Sequence, residues 1–90
     1  MYARVNTRQI PSEKMDEAIR MYREKALPER KTHKGFVGAY VLTDRSAGKI
    51  LAISLWETEA DARASGTPSY VDAVAGGPPS RESYEVSAQA

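Results

Sequence analysis

The sequence predicts one α+β domain over its 90 residues, with two helices on one face of a four-stranded antiparallel sheet. An apolar run at residues 50–56, ending in the only tryptophan, is typical of a buried strand. Residues 15–26 carry apolar side chains at helical spacing. A capping sequence follows the tryptophan at once and starts a second helix. The resulting order, β-α-β-β-α-β, is the ferredoxin-like arrangement.

The first strand is predicted over residues 2–10, where small side chains alternate with large polar ones. Pro11 interrupts this strand, and Ser12 is a good N-cap for the helix that follows. The apolar stripe of this helix comprises Met15, Ala18, Ile19, Tyr22 and Ala26. Pro28 predicts the end of the regular helix near residue 26 or 27, because proline disfavours helical backbone at the residue before it.

The second and third strands are predicted as an antiparallel hairpin. Residues 36–43 form the second strand, and the short polar segment 44–48 turns the chain into the strand that ends at Trp56. The Thr58 hydroxyl should accept the backbone N–H of Asp61 and begin the second helix at Glu59. Gly66 should end that helix, a short helix should follow over residues 67–74, and residues 81–87 should form the last strand.

Composition excludes several classes of function. The formal net charge is +1, which gives no electrostatic reason to expect nucleic acid or an anionic membrane as a partner. There is no cysteine, so disulfides, thiolate metal sites and cysteine nucleophiles are excluded. No metal-ligand cluster or glycine-rich phosphate loop is present in the sequence. Because the N-terminal residues lack the apolar stretch of a signal peptide, a cytoplasmic location is expected.

The third strand is apolar on both faces. Leu51, Ile53 and Leu55 alternate with Ile50, Ala52 and Trp56, and helices can cover only one of these faces. A second copy of the chain could cover the other face by sheet-to-sheet packing. The sequence therefore predicts a homodimer through the open sheet face, but it does not fix which set of residues meets the partner.

The chain resembles the antibiotic-biosynthesis monooxygenase (ABM) family, whose members are dimeric α/β barrels. Residues 55–62 are similar to the family motif Trp-Glu-Ser/Thr-x-x-Ala, and Gly35-Phe36-Val37-Gly38 is similar to Pro-Gly-Phe-x-Gly. The order of the elements agrees with the family over the whole chain. The resemblance implies a dimer with facing sheets and a ligand cavity between sheet and helices in each subunit. Family members include cofactor-independent oxygenases of phenols and quinols, and heme-degrading oxygenases.

The resemblance implies a position for the site. Asn6 matches the strand asparagine of the heme-degrading relatives, but the segment that should supply their axial histidine, residues 71–75, contains none. Heme degradation by the usual ligation is therefore not expected. Polyketide-oxidising relatives place polar groups where this chain has Val41, Leu42 and Ala52, while the tryptophan is kept as Trp56.

Each candidate residue has a structural reading beside the functional one. Asn6 is the candidate catalytic residue, which would bind a substrate oxygen, or it is simply a strand residue bonded to a neighbour. Trp56 either lines the cavity, with the small Ala52 and Ser54 leaving room beside it, or is a core aromatic. The remaining substrate-binding candidates are Tyr22, Tyr70 and Arg4. The two tyrosines are otherwise core or interface aromatics that could reach into the cavity from the helices, and Arg4 is otherwise solvated or paired with an acid.

Two further basic residues, Arg8 and His33, also have both a functional and a structural interpretation. Arg8 shares a strand face with Asn6 and Arg4, so it could help to hold an anion, but it is expected instead to be solvated or paired with an acid. His33 lies between Lys31 and Lys34 in a predicted loop, and is interpreted as a surface histidine rather than a base.

These observations lead to two hypotheses. In the first, the chain is a cofactor-independent monooxygenase of a small aromatic phenol or quinol, because an activated substrate can reduce dioxygen itself and needs neither metal nor flavin. In the second, the same fold is a non-catalytic module that binds a small molecule or serves dimerisation.

Overall fold

In the computed structural model, which describes residues 1–65 and 79–90, four antiparallel strands form one sheet. The strands are β1 (Tyr2–Gln9), β2 (Phe36–Asp44), β3 (Lys49–Trp56) and β4 (Ser80–Glu85). Their order across the sheet is β2-β3-β1-β4, so the two strands of the hairpin lie together and β1 lies inside the sheet. This order confirms the predicted ferredoxin-like fold.

The first helical segment consists of four pieces in direct succession. It begins with a 3₁₀ turn (Ser12–Lys14), continues as α1 (Met15–Met21) and a π-helical turn (Tyr22–Ala26), and ends as α2 (Leu27–Arg30). The buried side chains Met15, Ala18, Tyr22 and Ala26 lie on the face toward the sheet, as the helical spacing predicts. With Ile10 and Ile50 they form the main hydrophobic core.

Two predictions about this segment are wrong. Pro28 does not end the helix, because it lies in the first turn of α2, directly after the π turn has interrupted the α-helical pattern. Proline is tolerated in a first helical turn, where its missing N–H is not needed. Ser12 is not an N-cap either: it is the first residue of the 3₁₀ turn, and Pro11 occupies the cap position without a side-chain hydrogen bond.

The predicted start of the second helix is confirmed. Helix α3 covers Glu59–Ala64, and the Thr58 hydroxyl accepts the backbone N–H of Asp61 at 3.1 Å. Glu59 and Asp61 place negative charge in the first turn, which the helix dipole favours. The predictions for Gly66, for the short helix over residues 67–74 and for Tyr70 lie outside the described residues.

The strand register assigns the two faces of β3. Ile50, Ser54 and Trp56 are buried on the face that the helices cover, while Leu51, Ile53 and Leu55 lie half-buried on the opposite face. On that open face, Tyr40 pairs with Ile53 and Leu42 with Leu51. Tyr40 is 62% exposed and Leu42 48%, so large apolar side chains of this face meet solvent in the single chain.

Candidate functional site

A row of polar side chains on β1 lies beneath the helices. Arg4, Asn6 and Arg8 alternate along the strand and pair across to Ser54, Ala52 and Ile50 of β3. Asn6 is 5% exposed and Arg8 4%, so the large polar face of β1 is turned toward the interior. Alternation alone would place such a face toward solvent. The expectation that Arg8 is a solvated residue is therefore wrong.

The carbonyl oxygen of the Asn6 side chain is a buried acceptor. Oδ1 has no hydrogen-bond partner within residues 1–65 and 79–90, although more than nine-tenths of Asn6 is buried. Burying an amide oxygen without a partner is unfavourable, and the great majority of such groups in native proteins are satisfied. A buried acceptor of this kind is suited to accept a hydrogen bond from a bound molecule.

Asn6 contributes to a small cavity between the sheet and the first helical segment. This inner cavity has a volume of about 10 Å³, which is enough for one water molecule. Its lining within the described part of the chain comprises Asn6, Tyr22, Leu27, Arg30, Ala39, Tyr40, Ala52, Ile53 and Ser54. The structure thus brings together four of the residues selected from the sequence: Asn6, Tyr22, Ala52 and Ser54.

Tyr22 is fixed by Arg8. The Arg8 Nε–H donates to the Tyr22 hydroxyl oxygen at 3.0 Å, and both side chains are buried. Tyr22 is the first residue of the π turn, so this contact ties the turn to the inner strand β1. Because the hydroxyl oxygen accepts from Arg8, the hydroxyl proton can be donated in another direction.

Trp56 lies beside the inner cavity rather than in its described wall. The Trp56 Nε1–H donates to the Ser54 hydroxyl at 2.9 Å, and the indole is fully buried. Phe36 packs edge-on against the indole with a centroid distance of 5.6 Å. Ser54 therefore connects the tryptophan to the cavity, and the geometry gives Trp56 the features of a core aromatic with its N–H satisfied.

His33 lies against Trp56, which the sequence did not predict. Its ring meets the indole at an interplanar angle of 76°, with a centroid distance of 6.3 Å, and the residue is half-buried. His33 is thus less exposed than the position between two lysines suggests, because the turn after α2 folds back onto the end of β3. No local pattern signals this contact, since it joins segments that are distant along the chain.

Arg4 closes the far end of the polar row. Its Nη1 donates to the Ala62 carbonyl oxygen at 3.1 Å and to the Ser65 hydroxyl, and so satisfies acceptors at the end of α3. Burial lowers the pKa of the Arg4 guanidinium, and the positive charges of Arg30 and Arg81 lower this pKa further. The site therefore has a basic side, to which β1, β4 and the end of α2 contribute.

Arg30 belongs to this site but was not selected from the sequence. It is the last residue of α2, it is buried, and it lines the inner cavity. Because the helix is predicted to end near residue 26 or 27, Arg30 is expected to lie in a loop. One signal could have found it: Ala18, Tyr22, Ala26 and Arg30 follow one another at intervals of four residues, so the buried stripe continues beyond the proline.

The described residues form neither a metal site nor a membrane-spanning helix. Within residues 1–65 and 79–90, no three His, Asp or Glu side chains come together in a way that could hold a metal ion. None of the helices in the same ranges has the length and hydrophobicity that crossing a membrane requires.

Comparisons with known proteins agree with this fold. Proteins of known structure that resemble the chain include a monooxygenase of Streptomyces coelicolor in complex with the ligand nanaomycin D. The two structures superpose with a TM-score of 0.78 at 14% sequence identity, and the match covers 99% of this chain and 89% of the other. The heme degrader MhuD of Mycobacterium tuberculosis, with two hemes bound in its active site, gives a TM-score of 0.78, 16% identity, and coverage of 100% and 99%. At these identities the similarity shows the fold alone.

A relative in sequence comes from Mycobacterium tuberculosis H37Rv. This uncharacterised protein is 38% identical over 58 residues, which are 64% of this chain and 26% of the relative. The chain thus matches about a quarter of that relative's length. The family model for antibiotic biosynthesis monooxygenases matches residues 1–76. That match covers most of the chain, which therefore belongs to the antibiotic biosynthesis monooxygenase family.

Proposed function

We propose that this chain is a cofactor-independent monooxygenase that acts on a small aromatic phenol or quinol. Asn6 is the proposed catalytic residue, and Ala52, Ser54 and Tyr22 are proposed to contact the substrate. Arg4, Trp56 and Tyr70 stay predictions as substrate contacts, because Arg4 caps α3, Trp56 packs behind Ser54, and Tyr70 lies outside the described residues. The supporting observation is the buried Asn6 Oδ1, which accepts no hydrogen bond within the described part of the chain.

The chemistry needs little from the protein. A phenol or quinol can pass electrons to dioxygen directly, so the substrate is its own reductant. One oxygen atom enters the ring and the other leaves as water, so that a phenol becomes a quinone and a quinol a hydroxyquinone. The protein must hold the ring and its hydroxyl in a dry site and stabilise charge on the oxygen as electrons leave. The positive charge of Arg30, which is buried and lines the inner cavity, is suited to that last task.

Oxygen consumption with a panel of monocyclic and bicyclic phenols and quinols tests the proposal. Under ¹⁸O₂, one labelled oxygen atom should appear in the product. Asn6→Ala should abolish the oxygen uptake. Glu13→Ala, a change at an exposed residue of the 3₁₀ turn, is the matched control and should leave the rate unchanged. The absence of turnover across the panel in the presence of dioxygen would argue strongly against a monooxygenase.

The size of the inner cavity favours a second candidate. A volume of about 10 Å³ is far below the roughly 150 Å³ in which a benzene ring can be bound. A module that serves dimerisation would need no larger cavity, and a non-catalytic binding module could hold its small molecule outside this cavity. Binding of a phenol without oxygen uptake, by a protein shown to be folded, would support this candidate.

A homodimer through the open sheet face is proposed with either function. The exposed apolar residues of the face include Tyr40, Leu42 and Tyr84, next to the half-buried Leu51, Ile53 and Leu55. An apolar face of this extent is usually covered. Sedimentation equilibrium at micromolar concentration should give twice the chain mass. A mass of one chain, near 9.9 kDa, would refute the dimer.

Heme is not proposed as the ligand. The sequence contains one histidine, His33, and its ring packs edge-on against Trp56. A Soret band that appears on heme addition and is lost in His33→Ala would reverse this judgement.

A further inference from the structure

A second pocket lies directly beside the inner cavity, between the first helical segment and β2. It has a volume of about 280 Å³. Because β2 is an edge strand of the sheet, this outer pocket can be reached from solvent. Its described lining is mainly apolar and comprises Ile19, Tyr22, Arg23, Leu27, Val41 and Thr43.

The outer pocket and the inner cavity share two of their walls. Tyr22 and Leu27, at the beginning of the π turn and the beginning of α2, line both spaces. A molecule seated in the outer pocket therefore touches the same side chains that border Asn6. Among the described residues, Tyr22 and Leu27 are the two that appear in both linings.

The two volumes suit different parts of one molecule. Roughly 150 Å³ accommodates a benzene ring, so the outer pocket is large enough for a ring and the inner cavity is not. The inner cavity has room for one water molecule, and a hydroxyl group is of similar size. A ring that carries a hydroxyl matches this pair of spaces.

The polar atoms of the inner cavity also match a hydroxyl. Asn6 Oδ1 is an acceptor that needs a donor. The Tyr22 oxygen accepts from Arg8, which leaves the Tyr22 O–H to act as a donor. A hydroxyl both donates and accepts, whereas a ketone or an ether can only accept.

We propose that the outer pocket binds the ring of a phenol whose hydroxyl enters the inner cavity, where it donates to Asn6 Oδ1 and accepts from the Tyr22 hydroxyl. This assignment rests on the proposed function for its substrate class and adds the location and the orientation of the ring. The larger pocket on the outer side of α1 does not compete for this role, because its lining is mostly charged: Asp16, Glu17, Ile19, Arg20, Arg23, Glu24 and Arg45.

Binding measured under nitrogen tests this assignment without any turnover. The probes are 1-naphthol and its methyl ether 1-methoxynaphthalene, which keeps the ring but cannot donate a hydrogen bond. Calorimetric titration should show about tenfold tighter binding of the naphthol. Asn6→Leu should make the two affinities equal, because the acceptor for the hydroxyl is gone.

A pair of phenylalanine variants locates the ring. Thr43 is an exposed residue of β2 at the rim of the outer pocket, and Thr43→Phe should fill the pocket and weaken both probes by about tenfold. Glu17→Phe adds the same side chain to an exposed position of α1 that lines neither space and should change nothing. Circular dichroism confirms that both variants are folded.

Three results would overturn the assignment: no binding of naphthol, equal affinity for naphthol and its ether, or affinities that Thr43→Phe does not change. Failure of the proposed function looks different. If naphthol binds as described but no phenol or quinol supports oxygen uptake, the location of the ring stands and the monooxygenase is refuted. If oxygen uptake is present and Thr43→Phe has no effect, the location alone is wrong.

Discussion

Arg8 and Tyr22 are joined across the interior of the protein by a 3.0 Å hydrogen bond from the guanidinium Nε to the phenol oxygen. The bond links β1 to the first residue of the π turn, and both partners are buried. A hydrogen bond with a charged donor contributes more to stability than one between neutral groups. The contact therefore helps to hold the first helical segment above the candidate site.

Tyr22→Phe should destabilise the fold by about 1–2 kcal/mol, because the Arg8 Nε–H loses a buried acceptor while the ring is retained. Urea unfolding followed by circular dichroism measures the difference. Tyr84→Phe is the matched control, since that hydroxyl donates to Glu82 at an exposed position. If the two variants are equally stable, the Arg8–Tyr22 bond contributes nothing and the reasoning is wrong.

Gly35→Ala should destabilise the fold by about 2 kcal/mol or more, whereas Gly38→Ala should be neutral. Gly35 has a φ of +79°, and a Cβ added to it would lie 2.7 Å from the Cβ of Asp61. A Cβ at Gly38 meets nothing within 4 Å. Thermal unfolding of the two variants compares the same chemical change at two positions that are three residues apart. Equal melting temperatures would contradict the prediction.

The hairpin loop should show a carboxyl with a depressed pKa. The Ser46 hydroxyl donates to Asp44 Oδ1 at 2.7 Å and the Ala47 N–H at 3.2 Å, and with the charge of Lys49 these contacts lower the pKa of Asp44. A carboxyl whose pKa is lower in the folded than in the unfolded chain stabilises the fold at pH values above its pKa in the unfolded chain, which is about 3.9. That contribution is lost as the pH falls through the folded pKa.

NMR titration of the Asp44 carboxyl should therefore give a midpoint below that of an unstructured aspartate. Ser46→Ala should move the midpoint upward, because the hydroxyl donation is the largest cause of the shift. Asp44→Asn should remove part of the loss of stability on acidification. A midpoint that Ser46→Ala leaves in place would show that the hydroxyl is not the cause.

The sequence predicted those parts of the fold that depend on periodic patterns. The alternation in β3 correctly separated Leu51, Ile53 and Leu55 from Ala52, Ser54 and Trp56, because a strand turns successive side chains to opposite faces. The Thr58 cap could be predicted because it depends on residues three apart. The element order then followed from the lengths and positions of the turns.

The rest of the site depends on contacts between distant segments. Pro28 predicted a helix end near residue 26 or 27, although the buried stripe continues at intervals of four residues to Arg30, so the helix appeared to end before Arg30. The contact of His33 with Trp56 joins a turn to the end of a strand 23 residues later. The burial of Arg8 depends on where the helices lie. Sequence position could select Asn6 as a candidate, but the absence of a partner for its buried oxygen is visible only in three dimensions.

Asn6 and Ser54 should respond in opposite ways to loss of their polar groups, although both are buried and line the same inner cavity. Asn6→Leu replaces an oxygen that has no partner in the described residues by an apolar group of similar shape. The substitution should leave stability unchanged or raise it by about 1 kcal/mol, while a phenol should bind about tenfold more weakly. Ser54→Ala removes the acceptor of the buried Trp56 N–H and should lower stability by about 1–3 kcal/mol.

Chemical denaturation of the two variants, with Trp56 fluorescence as the signal, measures both effects. Residues that serve only the fold lose stability when they are removed, whereas a residue kept for binding can be replaced without loss. If Asn6→Leu lowers stability as much as Ser54→Ala does, Asn6 has a structural partner that supports the fold. Its side chain would then have no need of a ligand, and the main support for the proposed site would be gone.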